Sequence, residues 1–170
     1  MQWHAERVQQ LDPANVQRVM TAMFGLGRCL DQSGLEDSLL ELVKIRASQI
    51  NGCAICLDMH IKDARARGES EQRMYLLDAW RECPFYSERE RAALRWTEAV
   101  TLIAADRVPD DVYEEVKPQF SDDELLALTM AVVNINAYNR LNVALRTMPG
   151  AYEPGMLDAA ARKLTATAAD

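Results

Sequence analysis

The stretch QINGCAICLDMHIKD, residues 49–63, holds two of the chain's four cysteines and one of its two histidines. Cys53 and Cys56 stand three apart, and His60 lies four beyond Cys56. On a helix those intervals put neighbouring side chains on one face. Four readings compete: a metal site, a structural disulfide, ordinary core, or a working dithiol. The two thiols are close enough to join as a disulfide with modest adjustment. A zinc site wants four ligands. Cys53, Cys56 and His60 supply at most three, with Glu41 or His4 as the fourth, and there is no second CxxC or histidine pair. Zinc is therefore disfavoured. Haem attachment needs histidine directly after the second cysteine, and Leu57 stands there. An inert buried pair stays open, because free cysteine is often core. For a working dithiol, two cues disagree about the nucleophile. Cys53 would sit at a helix N-terminus, whose positive end favours a thiolate. His60 lies one turn from Cys56 and can act on it as a base or a cationic neighbour. Spacing alone leaves that choice open. Cys29, on an apolar helical face, reads as core, and Cys83, before Pro84, reads as a turn residue.

Helices must position these groups, and the chain reads as helices separated by short breaks. Asp12 caps a first helix that opens at Pro13. It carries Val16, Met20, Met23 and Gly27 on one face, with Val19, Leu26 and Leu30 beside it. A second shows Leu35, Leu39, Leu42 and Ile50 at helical spacing. Asn51-Gly52 breaks it, and the cysteine helix runs on to Gly68, a fitting position for a left-handed stop. Ser70 caps the next segment. Ser87 with Glu90, and Ser121 with Glu124, form capping-box patterns. The helix after Ser87 presents Ala93, Trp96, Val100 and Ile103 on one side. Pro109 opens a short helix ending near Pro118. The helix after Ser121 runs to about Arg146 and is apolar on much of its circumference, with Asn134, Asn136, Asn139 and Asn142 interleaved. Such a helix is buried on more than one side, either centrally or in a subunit interface. A last helix is expected over 155–165. No segment alternates as a strand does. The fold class is all-α, about eight helices in one domain over 1–170, with the motif region at about 35–105.

Composition narrows the function. Glycine (7) and proline (6) are scarce, which favours helices over turn-rich sheets. The net charge of −7 disfavours sequence-independent nucleic-acid binding. The N-terminus lacks the apolar core of a signal peptide and no run approaches a membrane span. The cytoplasm is the expected location, and in such a reducing compartment a close cysteine pair is more often catalytic or metal-binding than structural.

The stretch ELVKIRASQINGCAICLDMHIKDARARGESEQR resembles the core of the AhpD-like alkylhydroperoxidases, within the carboxymuconolactone decarboxylase superfamily. The pattern is Glu41, eleven residues, Cys53, two residues, Cys56, three residues, His60, with Ser48, Asn51, Gly52, Asp58 and Gly68 also fitting. The likeness continues through LDAWRECPFYSERERAALRWTEAVT and INAYNRLNVALR, covering most of residues 35–147 of a short, single-domain member. The resemblance implies an all-helical protein assembled as a trimer or hexamer. It implies thiol-dependent reduction of a small peroxide, without metal or cofactor, regenerated by an external dithiol or protein reductant. By that likeness Cys56 is the peroxidatic cysteine, and Cys53 its disulfide partner and the more accessible of the two. His60 and Glu41 form the proton relay. Without the resemblance Glu41 reads as a solvated charge or a partner for Lys44 or Arg46. Ile55 stands where the best-studied peroxidase branch has a further histidine, and an apolar side chain cannot join a proton network. The lactone decarboxylase branch lacks the cysteine pair, which argues against decarboxylation. Use of the same CxxC as a protein dithiol–disulfide oxidoreductase or redox sensor is the alternative.

Overall fold

Polar caps set where the helices begin. In the computed structural model, which describes residues 6–30, 33–157 and 159, Asp12 accepts from the Ala14 N–H and Pro13 follows as the first residue of α1 (Pro13–Gly27). The other helices are α2 (Asp37–Asn51), α3 (Ala54–Ala66), α4 (Glu71–Leu76), α5 (Glu88–Thr101), α6 (Ile103–Asp106), α7 (Asp110–Val116) and α8 (Asp122–Leu145). Ser87 and Ser121 each form the full capping box, with Glu90 and Glu124 respectively. Ser70 accepts from the Arg73 N–H at the start of α4. No strand occurs among the described residues. The fold is all-α.

Among the described residues there are eight α-helices, the expected number, but the roster differs. The last expected helix, over 155–165, lies largely outside the described residues, as does His4. The eighth place is taken by the short α6. The chain leaves helical geometry at Leu102, with ψ at 24°, and re-enters at Ile103. That shift of register turns Ile103 outward, 53% exposed, away from the buried face that it was expected to share with Trp96.

The core sits around α2, which packs against α3, α5 and α8. On one side Leu39, Val43, Trp96, Val116, Leu128 and Val132 join α2, α5, α7 and α8. On the other, Leu42, Ile45, Leu77, Trp80 and Leu94 tie in the 3-10 turn at Leu77–Glu82. A buried Glu98 locks that turn: it accepts from Trp80 Nε1 and Arg46 Nε, both at 2.8 Å, and pairs with Arg81. α8 is thus buried on several sides within one chain, while Leu126 and Val133 remain exposed. α1 is covered only in part: Val16, Met20, Met23 and Gly27, the face read from the sequence, are half-buried, and Val19 beside it is 45% exposed. Its contact with α8 is close at Gly27, where a Cβ would come within 3.3 Å of Asn134 Nδ2.

Two arginines occupy positive φ, Arg107 and Arg146. Arg107 closes α6 at φ 56°, ψ −146°, a region that essentially only glycine enters without strain. Arg107→Gly is expected to stabilise the protein by about 1 kcal/mol, less than the strain relieved because glycine gains freedom in the unfolded chain. A rise in Tm of roughly 2–4 °C by calorimetry would report it.

No helix among the described residues is long and apolar enough to cross a membrane.

Candidate functional site

The turn that launches α3 is built from both of its ends. Gly52 adopts the left-handed conformation, φ 65° and ψ 34°, which caps α2 and costs glycine little. The Cys53 N–H then donates back to the Ser48 carbonyl at 3.0 Å. From the outside α8 holds the same turn. Asn51 Nδ2 donates to Asn136 Oδ1 at 3.0 Å, to Asn139 Oδ1 at 2.9 Å and to the Ala47 carbonyl at 3.0 Å. Asn139 Nδ2 in turn donates to Ser48 Oγ. The Asn51-Gly52 break therefore returns the chain at a fixed angle, with α3 laid against α2.

Cys53 is the N-cap of α3, and its sulfur is disulfide-bonded to that of Cys56, the Cα atoms 5.4 Å apart. Both cysteines are buried, at 1% and 2% exposure, among Ala47, Ile135 and the partly buried Ile55. The expectation that Cys53 is the more accessible one does not hold within a single chain. As N-cap it lies at the junction of three helices rather than on the outer face of α3.

One turn on, His60 is also buried, and its Nδ1 lies 3.0 Å from Glu41 Oε2. Glu41 is 3% exposed, so it is not a solvated charge. Its second oxygen accepts from Lys44 Nζ at 3.0 Å and from Arg67 NH1 at 2.9 Å. Of its two sequence-level partners, Lys44 takes the place foreseen, while Arg46 turns to Glu98 and Asp78. Burial pushes the Glu41 carboxyl pKa up. The hydrogen bond with His60, and the bond and charge of Lys44, outweigh it and bring the carboxyl down to about 2. A carboxylate at Nδ1 fixes the imidazole ring and leaves Nε2 as its other working nitrogen. Among the described residues, His60 makes no hydrogen bond to Cys56. The group that donates to Cys56 Sγ is Asn142 Nδ2, at 3.5 Å.

The outer side of α3 is strapped by the chain that follows α8. Tyr152 donates to Asp63 Oδ2 at 2.7 Å, the Gly150 N–H donates to Asp58 Oδ2, and Lys62 donates to the Tyr152 carbonyl. Sequence reasoning misses this strap and the asparagine contacts alike. For the asparagines a signal exists: positions 136, 139 and 142 recur every three residues, close to one helical face. Cys29, expected in the core, is exposed. α1 ends two residues before it, and the 3-10 turn at Arg28–Leu30 swings it outward. Cys83 is partly buried against the cluster around Trp80. No group of three or more His, Cys, Asp or Glu side chains is placed to hold a metal among the described residues.

A carboxymuconolactone decarboxylase family model matches residues 13–99, a span from α1 into α5 that contains Glu41, Cys53, Cys56 and His60. The chain belongs to that family. A relative in it is the uncharacterized protein YdfG of Bacillus subtilis, 44% identical over 126 residues, which are 74% of this chain and 86% of YdfG. Among solved structures, a protein of unknown function from Agrobacterium tumefaciens superposes with a TM-score of 0.80 at 41% identity, over 87% of this chain and all of that one. Its description proposes an AhpD-type antioxidant defence role. The debrominase Bmp8 shares the fold, with a TM-score of 0.69 over 84% of this chain and 73% of its own, at 20% identity. Enzymes with the carboxymuconolactone decarboxylase family fold thus catalyse more than one chemistry.

Proposed function

We propose that the chain is a thiol-dependent peroxidase that reduces alkyl hydroperoxides through Cys53 and Cys56, with His60 and Glu41 as its proton relay. The observation that carries this reading is a buried Glu41–His60 pair one helical turn from a disulfide-bonded CxxC. Cys56 thiolate attacks the O–O bond; with one proton, ROOH becomes ROH and the sulfur becomes Cys56–SOH. The Cys53 thiol condenses with it, forming the disulfide and releasing water. An external dithiol then reduces that disulfide by exchange and leaves as its own disulfide. His60, oriented by Glu41, takes the Cys56 proton and returns it to the leaving alkoxide. The burial of both sulfurs favours a small peroxide over a folded protein as oxidant. Regeneration needs the Gly52–Cys53 turn to open, or a reductant slender enough to enter. Exposed Val19 on α1, with Leu126 and Val133 on α8, supports assembly into a homo-oligomer, trimer or hexamer. A reducing cytoplasm suits a dithiol that must be returned to its reduced state.

Stopped-flow mixing of the pre-reduced protein with an organic hydroperoxide tests the reading, followed by mass spectrometry. Wild type is expected to consume one equivalent and gain the Cys53–Cys56 disulfide. Cys56→Ser is expected to abolish consumption, and Cys53→Ser to stop at the sulfenic acid. No peroxide consumption with any of several dithiol donors overturns the proposal.

A further inference from the structure

We propose that Asn142, which no motif of the CxxC segment includes, is a catalytic residue. Its side-chain amide donates to Cys56 Sγ and holds that sulfur as the thiolate, making Cys56 the more acidic of the two thiols. The inference rests on the peroxidase reading for its place in the cycle, but not for its chemistry.

The two sulfurs are unlike in their surroundings. Cys53 caps α3 without a side-chain cap bond, so the helix N–H groups do not reach its sulfur. It shares the apolar cluster of Ala47 and Ile135 with Cys56, at 1% exposure. Among the described residues no side chain donates to its sulfur. Cys56 is equally buried but receives the Asn142 amide at 3.5 Å, a normal length for a donor to sulfur. A hydrogen bond to the charged form favours that form.

Asn142 is well placed for a constant role. It sits in the last turn of α8, where its own carbonyl accepts the N–H groups of Arg146 and Thr147 as the helix closes at left-handed Arg146. One turn earlier, Asn139 is fully buried and tied to Ser48 and Asn51. The α8 face that bears Asn142 is therefore stitched to the turn that bears Cys53. The titratable and charged groups on the side of Cys56 are His60 on α3 and, behind it, Glu41 and Lys44 on α2 with Arg67. On α8, Arg140 is turned to Asn136. An amide does not titrate, so Asn142 donates alike before and after His60 has taken a proton. The stabilised thiolate is the species that attacks the peroxide oxygen; the two electrons it gives reduce ROOH to ROH, and the sulfur leaves as the sulfenic acid.

The test uses single-thiol proteins and needs no peroxide. In the Cys53→Ser background, the rate of iodoacetamide alkylation of Cys56 is followed against pH, with and without Asn142→Leu and Asn142→Asp. Both substitutions are expected to slow alkylation at pH 7 by about tenfold or more and to move the profile to higher pH, Asn142→Asp the further. In the Cys56→Ser background, Asn142→Leu is expected to leave the Cys53 profile in place. Circular dichroism checks that each variant keeps its helix content. An unmoved Cys56 profile overturns the proposal, and so does an equal shift at both thiols, which marks a merely structural effect. A chain that shows the selective shift yet consumes no peroxide keeps Asn142 and loses the peroxidase reading. Peroxide turnover without the shift does the reverse.

Discussion

Glu41→Gln is expected to cost about 3 kcal/mol of stability at neutral pH and to slow peroxide turnover by about a hundredfold. The stability figure follows from the carboxyl itself. It is buried, and it falls from an ordinary 4.5 to about 2 because the bonds and charges of His60 and Lys44 outweigh its desolvation. Glutamine keeps the shape but loses the charge, and its amide group meets Lys44, Arg67 and His60, three donors around two oxygens. With its nitrogen towards Lys44 and Arg67, two cations face an N–H; with its nitrogen towards His60, the ring must give up its Nδ1 proton to accept, and either way the buried ion pair is broken. Turnover falls because the imidazole loses both the group that orients it and the charge that stabilises its protonated form.

The same carboxyl sets an acid limit. A group whose folded pKa is depressed stabilises the fold above its unfolded pKa and loses that contribution as pH falls through the folded value. For Glu41 the contribution is complete above about 4.5 and is lost between about 4.5 and about 2. Denaturant titrations at pH 6 and pH 2.5 are expected to show a larger loss for wild type than for Glu41→Gln, by about 2 kcal/mol. Equal losses would remove Glu41 as the source.

What is legible in the sequence follows from range. Capping is local, so Asp12, Ser70, Ser87 and Ser121 announce helix starts that the structure reproduces. The CxxC and its histidine are local too, one turn apart. Glu41 is reached through the family pattern, because nothing in the spacing of α2 distinguishes a buried carboxylate from a solvated one. The chain reversal at Gly52 creates that difference. Burial across elements is the harder part. α1 has a clear apolar stripe that is only half-buried within the chain, since periodicity states which face is apolar and not how fully it is covered. Cys29 fails for the same reason, compounded by a helix end one residue before its turn. Ile103 fails on a register shift of a single non-helical residue. The asparagines of α8 stand out in the sequence as interruptions of an apolar helix. Their partners lie 85 to 91 residues away, at Asn51, Cys56 and Ser48, beyond what any window can pair.

Asn51 is where that long-range reading has its largest consequence. By sequence it is half of a helix breaker, yet its backbone is still helical and Gly52 alone supplies the left-handed turn. Its side chain is the clamp, donating to Ala47, Asn136 and Asn139. Asn51→Ala removes both N–H groups and leaves Asn139 Oδ1, fully buried, without its donor. An unsatisfied buried acceptor plus the lost packing is expected to cost about 2 kcal/mol, or roughly 4–8 °C in Tm. Asn51→Asp is the sharper test. It preserves the shape but turns a carboxylate towards three oxygen acceptors, so it is expected to be less stable than Asn51→Ala at pH 7. Acid should reverse that order in part, because the introduced carboxyl regains one donor when it is protonated: the Asn51→Asp midpoint should rise, relative to Asn51→Ala, between pH 7 and pH 4. If aspartate is instead tolerated as well as alanine at pH 7, the side chain is not the donor that fixes the turn. The angle at which Cys53 enters α3 would then rest on Gly52 and the Ser48 carbonyl alone.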